Sequence, residues 1–532
     1  MASSTAAVFT LFLFLLPPAL SLASPSPATS TTHLPPPVTK SAHSSPPAAS
    51  SGLSTGVLSL LQSTLTEIQQ VAGIVSTFPG GIIGGDLRLS SAISDCLDLL
   101  DFSSDELSWT ISSSSGTSAA ANPGTGDHGS DFRSWLSAAL GNQDTCKESL
   151  SSTGSPLASL ASAGLDSIAA LLQSGLQQLP AGGKIGPRRR LLAGGFFPKW
   201  VKAAERRLLQ ATALTADVTV AKDGSGNYTT VTAAVDAAPV ESARRFVIYV
   251  KRGIYVENVE IKKKKWNLMI VGDGVDQTVI SGSRNYVDGW TTFRSATFAV
   301  AGKGFIARDI TFENTAGAAK HQAVAFRSDS DLSVYYRCSF RGYQDTLYAH
   351  SLRQFYRECR ISGTVDYLFG TAAAVFQNCQ FLSRLPLPDQ KNTITAQGRK
   401  YSDQNTGFVL QFCNISADTD LAASAGGTAV QTYLGRPWKE YSKTIILQSY
   451  IGSLIRPEGW LPWNGDFALS TLYYAEYMNF GPGSGLGGRV NWTGYHVITS
   501  SAQAAGFTVS QFLDGNLWLP STGVKYTAGL TA

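Results

Sequence analysis

Two aspartates, Asp345 and Asp366, have the residue type and the spacing of a catalytic carboxylate pair. The interval between them equals the interval between Cys338 and Cys359, which begin two successive short strand patterns, and Cys379 begins a third at nearly the same interval. One coil of about 20 residues is too small to bury its own apolar face. Alternating strands repeated at this period therefore predict a parallel β-solenoid.

Stacked coils would place the two carboxylates side by side. Neighbouring strands lie about 4.8 Å apart, so residues one period apart share a face. At about 5 Å one carboxylate raises the pKa of the other, and such a pair can supply an acid and a nucleophile. Because aspartate is also common in tight turns, a purely structural role for both residues is the alternative.

Two glutamines and an arginine are predicted to join this pair. The interval from Gln322 to Gln344 equals the interval from Gln344 to Asp366, and both are close to the period of the strand patterns. Their amide NH2 groups can donate to a developing oxyanion without neutralising a carboxylate nucleophile. Arg436 could orient Asp366 or form an ordinary ion pair with it.

Aromatic residues surround these motifs. They could bind sugar rings or merely fill the core: Tyr343, Tyr348, Tyr367, Phe369 and Trp438. The histidines nearest the motifs, His321 and His350, have no serine with a nucleophile-elbow context beside them, so we expect them to be hydrogen-bonded or surface residues.

The elements that must position these side chains divide the chain into two unlike parts. Short strand patterns punctuated by Gly and Asn run from about residue 211 towards the C-terminal tail. Before them lie four amphipathic segments, which predict a small helical bundle. Cys96 and Cys146 are available to join two of its helices.

The N-terminus and the connector carry processing signals. Residues 1–23 are typical of a signal peptide and residues 24–50 of a disordered Pro/Ser-rich linker. The connector, residues 183–209, contains two basic tetrads that would suit a protease, with arginines at Arg189, Arg190, Arg206 and Arg207. No later segment is judged long and apolar enough to cross a membrane. We therefore expect a secreted chain.

The net charge and the glycosylation sequons agree with secretion. Residues 210–532 hold 30 of the 42 Lys and Arg but 25 of the 38 Asp and Glu, a net charge of +5. A mildly basic secreted domain is attracted to a polyanion, and nucleic acid is not an expected partner of an exported chain. Asn227, Asn414 and Asn491 begin possible glycosylation sequons.

Five motifs in order resemble those of plant pectin methylesterases. They are Gly253-Ile254-Tyr255-Val256-Glu257, Gln322-Ala323-Val324-Ala325-Phe326-Arg327, Gly342-Tyr343-Gln344-Asp345-Thr346-Leu347-Tyr348, Asp366-Tyr367-Leu368-Phe369-Gly370 and Leu434-Gly435-Arg436-Pro437-Trp438. The N-terminal segments resemble the pectin methylesterase inhibitor domain, through Trp135-Leu136-Ser137-Ala138-Ala139-Leu140 and Asn142-Gln143-Asp144-Thr145-Cys146.

The resemblance implies a fold and a domain order. Residues 210–532 would form an all-β, right-handed parallel β-helix that acts as the catalytic domain. Residues 51–182 would form an all-α, inhibitor-like four-helix bundle, a pro-domain that inhibits the enzyme until a subtilisin-like protease cuts the connector. The product would be a monomer in the cell wall or apoplast, with no membrane contact once the signal is removed.

The resemblance also implies an activity and residue roles. The enzyme would be a carboxylic ester hydrolase that removes C6 methyl esters from homogalacturonan. Asp366 would be the nucleophile and Asp345 the acid and base. Gln322 and Gln344 would hold the oxyanion, and Arg436 would position Asp366. Substrate contacts would come from Gln322, Tyr348, Val365, Phe369, Arg436 and Trp438.

Further implications concern cysteines, cofactors and partners. The resemblance favours a Cys359–Cys379 disulfide, although stacking alone permits Cys338–Cys359 equally well. No cofactor and no metal are expected. A separate pectin methylesterase inhibitor protein would be a further partner of the mature enzyme.

Two other functions are compatible with parts of the sequence. A pectin-cleaving glycoside hydrolase also combines a β-solenoid with paired carboxylates, but its usual Gly-His-Gly and Arg-Ile-Lys segments do not occur here. A wall-binding solenoid without activity is the other rival. Methanol release separates these classes, because a binding module releases none and the hydrolase releases reducing ends.

Overall fold

A computed structural model of the chain describes residues 53–78, 85–114, 124–179, 215–424 and 430–531. These residues all belong to one compact unit, Ser51–Ala532. The predicted signal peptide, the Pro/Ser-rich linker and the connector with its arginine pairs lie outside the described residues.

Four helices precede the strands: α1 (Thr55–Ser76), α2 (Leu87–Ser114), α3 (His128–Ser151) and α4 (Pro156–Gln178). Three of them begin at a residue whose side chain accepts a backbone N–H, namely Ser54 for α1, Asp127 for α3 and Ser155 for α4. The predicted bundle is therefore confirmed, with starts set by ordinary capping chemistry.

The bundle buries the apolar stripes that the sequence shows. Leu61, Trp135, Leu136 and Leu172 are each fully buried in one shared cluster. A disulfide between Cys96 and Cys146 joins α2 to α3, as the sequence suggested. Helices with one apolar stripe are stable only when that stripe is covered, and here each covers the others.

Helix α4 corrects one sequence-based expectation. It has 23 residues and contains an apolar stretch of 18, so it is long and apolar enough to cross a membrane by length and composition. The expectation that no such segment exists was wrong. Its buried positions, including Leu165 and Ile168, face the bundle core. A core helix of a bundle passes the same test of length and composition.

The second part is a stack of coils whose strands form three parallel sheets within the described residues. Sheet A contains β1 (Val218–Val220), β2 (Phe246–Val250), β5 (Leu268–Gly272), β8 (Ile306–Arg308), β11 (Ser333–Tyr336), β14 (Arg353–Arg357), β17 (Ala373–Gln377), β20 (Gly407–Gln411), β23 (Lys443–Leu447), β25 (Tyr473–Tyr477) and β26 (Tyr495–Val497). Sheet B contains β3 (Gly253–Val256), β6 (Thr278–Gly282), β9 (Thr311–Asn314), β12 (Ser339–Arg341), β15 (Arg360–Gly363), β18 (Gln380–Ser383), β21 (Asn414–Ala417) and β24 (Tyr450–Ile451). Sheet C contains β4 (Val259–Ile261), β7 (Phe298–Val300), β10 (Phe326–Ser328), β13 (Leu347–Ala349), β16 (Leu368–Gly370), β19 (Asn392–Gln397) and β22 (Thr432–Gly435).

Short helices accompany the stack: α5 (Val231–Ala237), α6 (Thr419–Ala423), α7 (Ser501–Ala505), α8 (Val509–Phe512) and α9 (Gly515–Thr522), with 3-10 turns at Phe293–Ser295 and Ala318–Lys320. Helix α5 packs on the main core of the stack, and α8 and α9 pack on the outer face of sheet A. These two clusters contain only residues after 215. The stack thus buries a core of its own without the bundle.

Identical positions of successive coils pile up inside the stack. Tyr335, Tyr356 and Phe376 are register partners in sheet A. Their rings stack at 4.4 Å for each successive pair. This spacing is close to the strand separation of a sheet, which confirms the predicted parallel β-helix.

The four late cysteines do not pair. Cys338, Cys359, Cys379 and Cys413 are all buried free thiols, so the expected Cys359–Cys379 disulfide is absent from the structure. The Sγ atom of Cys359 lies 3.3 Å from the carbonyl oxygen of Tyr335 and donates to it. Stacking points equivalent side chains in parallel, whereas a disulfide needs Cβ vectors that converge.

Four successive coils turn from sheet A to sheet B through one residue with positive φ. Asp309, Arg337, Glu358 and Asn378 have φ values of 56°, 50°, 55° and 57°. These values lie in the left-handed region, which non-glycine residues rarely adopt. The repeat of the sequence is therefore a repeat of backbone conformation as well.

Candidate active site

Asp345 and Asp366 occupy equivalent positions on adjacent coils. Each lies two residues before a strand of sheet C, Asp345 before β13 and Asp366 before β16, and these strands pair with Leu347 opposite Leu368. The backbone N–H of Asp345 donates to the carbonyl of Val365 at 3.0 Å. The structure thus brings together the two carboxylates that their spacing in the sequence predicted.

Both aspartates also sit in turns. Their φ values are 60° for Asp345 and 51° for Asp366, in the left-handed region. Asp and Asn tolerate this region better than most residues. Both aspartates therefore do have the turn conformation that the sequence suggested as an alternative. The turns place both carboxylates just before a strand of sheet C.

Asp366 is held by two side chains from later coils. Arg436, directly after β22, donates from Nε to Oδ1 at 2.8 Å and from a terminal nitrogen to Oδ2 at 2.7 Å. Thr393, in β19, donates from Oγ1 to Oδ1 at 2.6 Å and accepts the backbone N–H of Asp366 at 2.9 Å. A two-point arginine contact fixes the plane of a carboxylate as well as its charge.

Asp345 differs from Asp366 in its surroundings. It is buried and no hydrogen bond of its carboxyl group is among the described contacts. Burial raises the pKa of Asp345 well above its usual range, the neighbouring charge of Asp366 raises it further, and Arg436 partly offsets both effects. Two aspartates one coil apart thus have environments suited to different roles: a carboxyl that retains its proton, and a carboxylate held by a cation.

A cavity of about 360 Å³ opens onto this pair. Its lining includes every predicted catalytic residue and most predicted substrate contacts: Gln322, Gln344, Asp345, Tyr348, Asp366, Phe369, Arg436 and Trp438. Val365 is buried beside Asp366 but does not line the cavity. The backbone N–H of Ala323 donates to the carbonyl of Gln344 at 3.3 Å, so the segment that carries Gln322 lies directly beside the coil that carries Gln344.

One wall of the cavity is aromatic. Tyr348 and Phe369 stack at 4.1 Å, and Trp438 meets Phe369 edge-on at 5.9 Å. Phe293 and Trp463 also line the cavity, and the guanidinium of Arg436 lies 4.4 Å from the Trp463 ring centre. Sequence reasoning missed Phe293, Trp463 and Thr393, since none of them falls on the repeat that relates Asp345 to Asp366.

The two histidines are placed as expected. His321 is exposed, and His350 is buried, with Nδ1 2.5 Å from Asp329. No group of three or more His, Cys, Asp or Glu side chains that could hold a metal ion occurs among the described residues. The three sequon asparagines, Asn227, Asn414 and Asn491, are exposed.

Helix α3 of the bundle closes the mouth of the cavity. Thr145, Glu148 and Ser149, with Ser152 just beyond the helix, contribute to its lining. Thr145 Oγ1 lies 2.8 Å from Nε2 of His350. The sequence did not predict this contact, because it joins segments 205 residues apart.

Buried polar contacts anchor the same helix further along the stack. Trp135 donates from Nε1 to Asp331 at 3.1 Å, and Asp131 accepts from Arg353 at 2.6 Å. Arg353 also contacts Asp331, at 2.6 Å. These four side chains are nearly inaccessible to solvent, so the bundle and the stack share a desolvated interface.

A pair of aspartates beside an aromatic cleft is an arrangement suited to a hydrolase that works through carboxyl groups. Comparisons with known proteins specify the class. The family model "Pectinesterase" matches residues 217–516, and the model "Plant invertase/pectin methylesterase inhibitor" matches residues 29–176. The chain belongs to the pectinesterase family and carries an inhibitor-like N-terminal domain.

Individual relatives agree with both matches. The chain is 61% identical to "Pectinesterase/pectinesterase inhibitor PPE8B" of Prunus persica over 469 residues, 88% of each chain. It is 55% identical to "Probable pectinesterase/pectinesterase inhibitor 44" of Arabidopsis thaliana, over 89% of this chain and 93% of that one. The predicted family and enzyme class are therefore confirmed.

Solved structures support the fold. The structure of pectin methylesterase from carrot is 54% identical, with a TM-score of 0.59, and 60% of this chain covers 100% of that one. The enzyme from Aspergillus niger is 29% identical with a TM-score of 0.50, covering 58% of this chain and 97% of that one. The carrot chain is about as long as residues 210–532, so that relative has a folded structure without a counterpart of the bundle.

Proposed function

We propose that residues 210–532 hydrolyse the C6 methyl esters of galacturonate units in pectin, and that Asp366 and Asp345 perform the chemistry. The observation that carries the proposal is the pair itself: one carboxylate fixed by two N–H donors of Arg436, and one carboxyl that burial keeps protonated. An ester hydrolase of this type needs a nucleophile and a proton donor for the departing alcohol.

The acylation step uses the free lone pairs of Asp366. Its Oδ1 accepts from both Arg436 and Thr393, whereas Oδ2 accepts from Arg436 alone, so Oδ2 is the attacking oxygen. It bonds to the ester carbon, and the carbonyl oxygen becomes an oxyanion that the amides of Gln322 and Gln344 stabilise. As the C–O bond to the methoxy group breaks, Asp345 gives its proton to that oxygen and methanol leaves.

Deacylation reverses the role of Asp345. Its carboxylate now removes a proton from water, and the resulting hydroxide attacks the acyl carbon. The bond to Oδ2 breaks, which restores Asp366 and leaves a galacturonate carboxylate on the polymer. Tyr348, Phe369 and Trp438 supply ring faces and edges against which sugar units can pack.

The test is methanol release from highly methylated pectin by residues 210–532. The Asp366→Asn variant should fold as the wild type does and release no methanol above background, because an amide is a poor nucleophile. Reducing ends should not appear with either protein. A folded wild-type protein that releases no methanol would favour the wall-binding alternative, and release of reducing ends would favour the glycoside hydrolase.

We also propose that the bundle, residues 51–182, keeps the enzyme inactive until it is removed. The support is steric: Thr145, Glu148 and Ser149 lie in the cavity mouth, where a polymer would have to pass. Cleavage in the connector 183–209, at Arg189-Arg190 or Arg206-Arg207, by a subtilisin-like protease would release it. The activity of the full chain should rise after such cleavage, and variants with both arginine pairs replaced should stay inactive.

Secretion to the cell wall, by way of a signal peptide at residues 1–23 and a linker at 24–50, belongs to the same proposal. The three exposed sequon asparagines are compatible with passage through the secretory pathway. Once the bundle has left, the vacated surface could accept a separate inhibitor of the same family. Mass spectrometry of the protein from wall extracts would show the mature N-terminus and any glycans.

A further inference from the structure

In the described ion pairs between the bundle and the stack, each part contributes charges of one sign. Acidic residues of the bundle meet basic residues of the stack. Asp95 pairs with Arg294 at 2.7 Å, Asp101 and Asp105 with Lys263 at 2.8 Å each, Asp131 with Arg353 at 2.6 Å, Asp144 with Lys400 at 2.5 Å, and Glu148 with Lys439.

Two of these basic residues, Lys400 and Lys439, pair with the part of α3 that contributes Thr145 and Glu148 to the cavity lining. Lys439 follows Trp438, a lining residue, and its Nζ lies 4.9 Å from that ring centre. Lys400 lies 5.2 Å from the ring of Tyr401. Their bundle partners, Asp144 and Glu148, are one turn apart on α3, about 6 Å along the helix. The two carboxylates therefore form a row beside the mouth of the cavity.

A row of carboxylates is also what a partly de-esterified pectin presents. Each turnover converts an uncharged methyl ester into a carboxylate, so the units next to a reacting ester become anionic as the reaction proceeds. Removal of the bundle takes away the described partners of both lysines. The two ammonium groups, one beside the lining residue Trp438 and one beside Tyr401, are then available to a carboxylate of the polymer.

We propose that Lys400 and Lys439 form a subsite for the free carboxylates of de-esterified galacturonate units, and that Asp144 and Glu148 occupy this subsite in the full-length chain. The inference rests on the proposed pectinesterase activity of the same cleft. It assigns a substrate feature, the charged neighbour of the reacting ester, to two residues outside the catalytic set. It also gives a local cause for continued action along one polymer.

The experiment compares residues 210–532 as wild type, as the Lys400→Gln/Lys439→Gln double variant and as Lys525→Gln. Lys525 is exposed, near the C-terminal helices that pack on sheet A, so its substitution removes one positive charge away from the cleft. Methanol release is measured on fully methylated pectin and on half-methylated pectin. Binding of fully de-esterified polygalacturonate is measured separately by calorimetry.

We expect the double variant to be impaired on pectin that carries free carboxylates and not on fully methylated pectin. KM for half-methylated pectin should rise about 3- to 10-fold in the double variant, and Kd for polygalacturonate should rise by a similar factor. This factor corresponds to the loss of two partly exposed charge pairs. KM for fully methylated pectin and all parameters of Lys525→Gln should stay within about twofold, and added salt should shrink the difference because it screens the charges.

Equal losses on both pectins, or unchanged polygalacturonate binding, would overturn the proposal and leave the lysines as contacts for the bundle alone. The calorimetric arm does not depend on turnover. Absence of methanol release by the folded wild type would therefore count against the proposed activity, and binding that ignores the two lysines would count against this subsite.

Discussion

The contact between Arg436 and Asp366 supplies the most quantitative prediction. Arg436→Lys keeps the positive charge but replaces a planar two-point donor with a single ammonium group. Of the two N–H contacts, at 2.8 and 2.7 Å, one at most survives. A hydrogen bond to a charged group contributes about 1.5 to 3 kcal/mol. If the contact supports the transition state, kcat should fall about 10- to 150-fold.

The assay is the initial rate of methanol release by residues 210–532 at saturating methylated pectin. Arg456→Lys is a matched control, since Arg456 is half-exposed, lies 3.6 Å from Glu458 and does not line the cavity. A second comparison is Thr393→Val, which removes a hydroxyl donor to the same carboxylate; a hydrogen bond to a charged group contributes about 1.5 to 3 kcal/mol, so kcat should fall about 10- to 150-fold. Folded Arg436→Lys protein with kcat within twofold of wild type would refute the positioning role of Arg436.

Three further predictions concern charge, protons and covalent structure. In the full chain, Asp144→Asn with Glu148→Gln should raise methanol release about 3- to 10-fold by loosening the bundle, whereas Asp166→Asn, which breaks a pair with Lys147 inside the bundle, should not; equal effects would contradict the docking argument. Because the pKa of Asp345 is raised in the folded state, the folded state binds the extra proton, so stability is lost as pH rises from about 4 towards the raised value. Asp345→Asn should therefore increase the Tm of residues 210–532 more at pH 7 than at pH 4, and a Tm gain that does not grow with pH would argue against the buried proton. Cys96→Ser with Cys146→Ser should destabilise the bundle by about 2 to 4 kcal/mol in calorimetry of the full chain, and an unchanged first transition would show that the disulfide is dispensable.

Much of the catalytic pair was predictable because it depends on a local repeat. The interval from Asp345 to Asp366 equals the interval from Leu347 to Leu368, which are partners in the strands that follow the two aspartates. A uniform coil length converts sequence spacing directly into spatial adjacency. Gln344 was predictable because it directly precedes Asp345 in the sequence.

The residues that hold Asp366, Thr393 and Arg436, were harder to predict because the coil length changes after β16. Strand β16 pairs with β19 through Leu368 opposite Thr395, and β19 pairs with β22 through Thr395 opposite Gly435. Both steps along the chain are longer than the step from β13 to β16, and loops of variable length absorb the difference. Thr393 therefore falls outside any fixed period, and Arg436 was a candidate for its charge and not because any spacing placed it beside Asp366.

The bundle interface and the cysteines were beyond the sequence for another reason. Contacts such as that between Thr145 and His350 depend on the complementary surfaces of two folded parts, which no periodicity encodes. The Cys359–Cys379 disulfide was implied by the resemblance and is absent; spacing could not test it, because a repeat fixes the distance between coils but not the direction of each Cβ vector. Stacking of parallel side chains was the competing arrangement, and it is the one observed.

The central claim is that Asp366 forms a covalent bond to the substrate. Hydroxylamine attacks an acyl-aspartate, so wild-type residues 210–532 turning over methylated pectin in its presence should acquire a hydroxamate on the peptide that contains Asp366, detected by mass spectrometry. The label should require substrate and should be absent from Asp366→Asn. Hydroxylamine can also open the anhydride at the galacturonyl carbonyl, which places the hydroxamate on the pectin. Steady methanol release with the label on another residue of the protein, or with no hydroxamate on that peptide and none on the pectin above the Asp366→Asn background, would contradict the account.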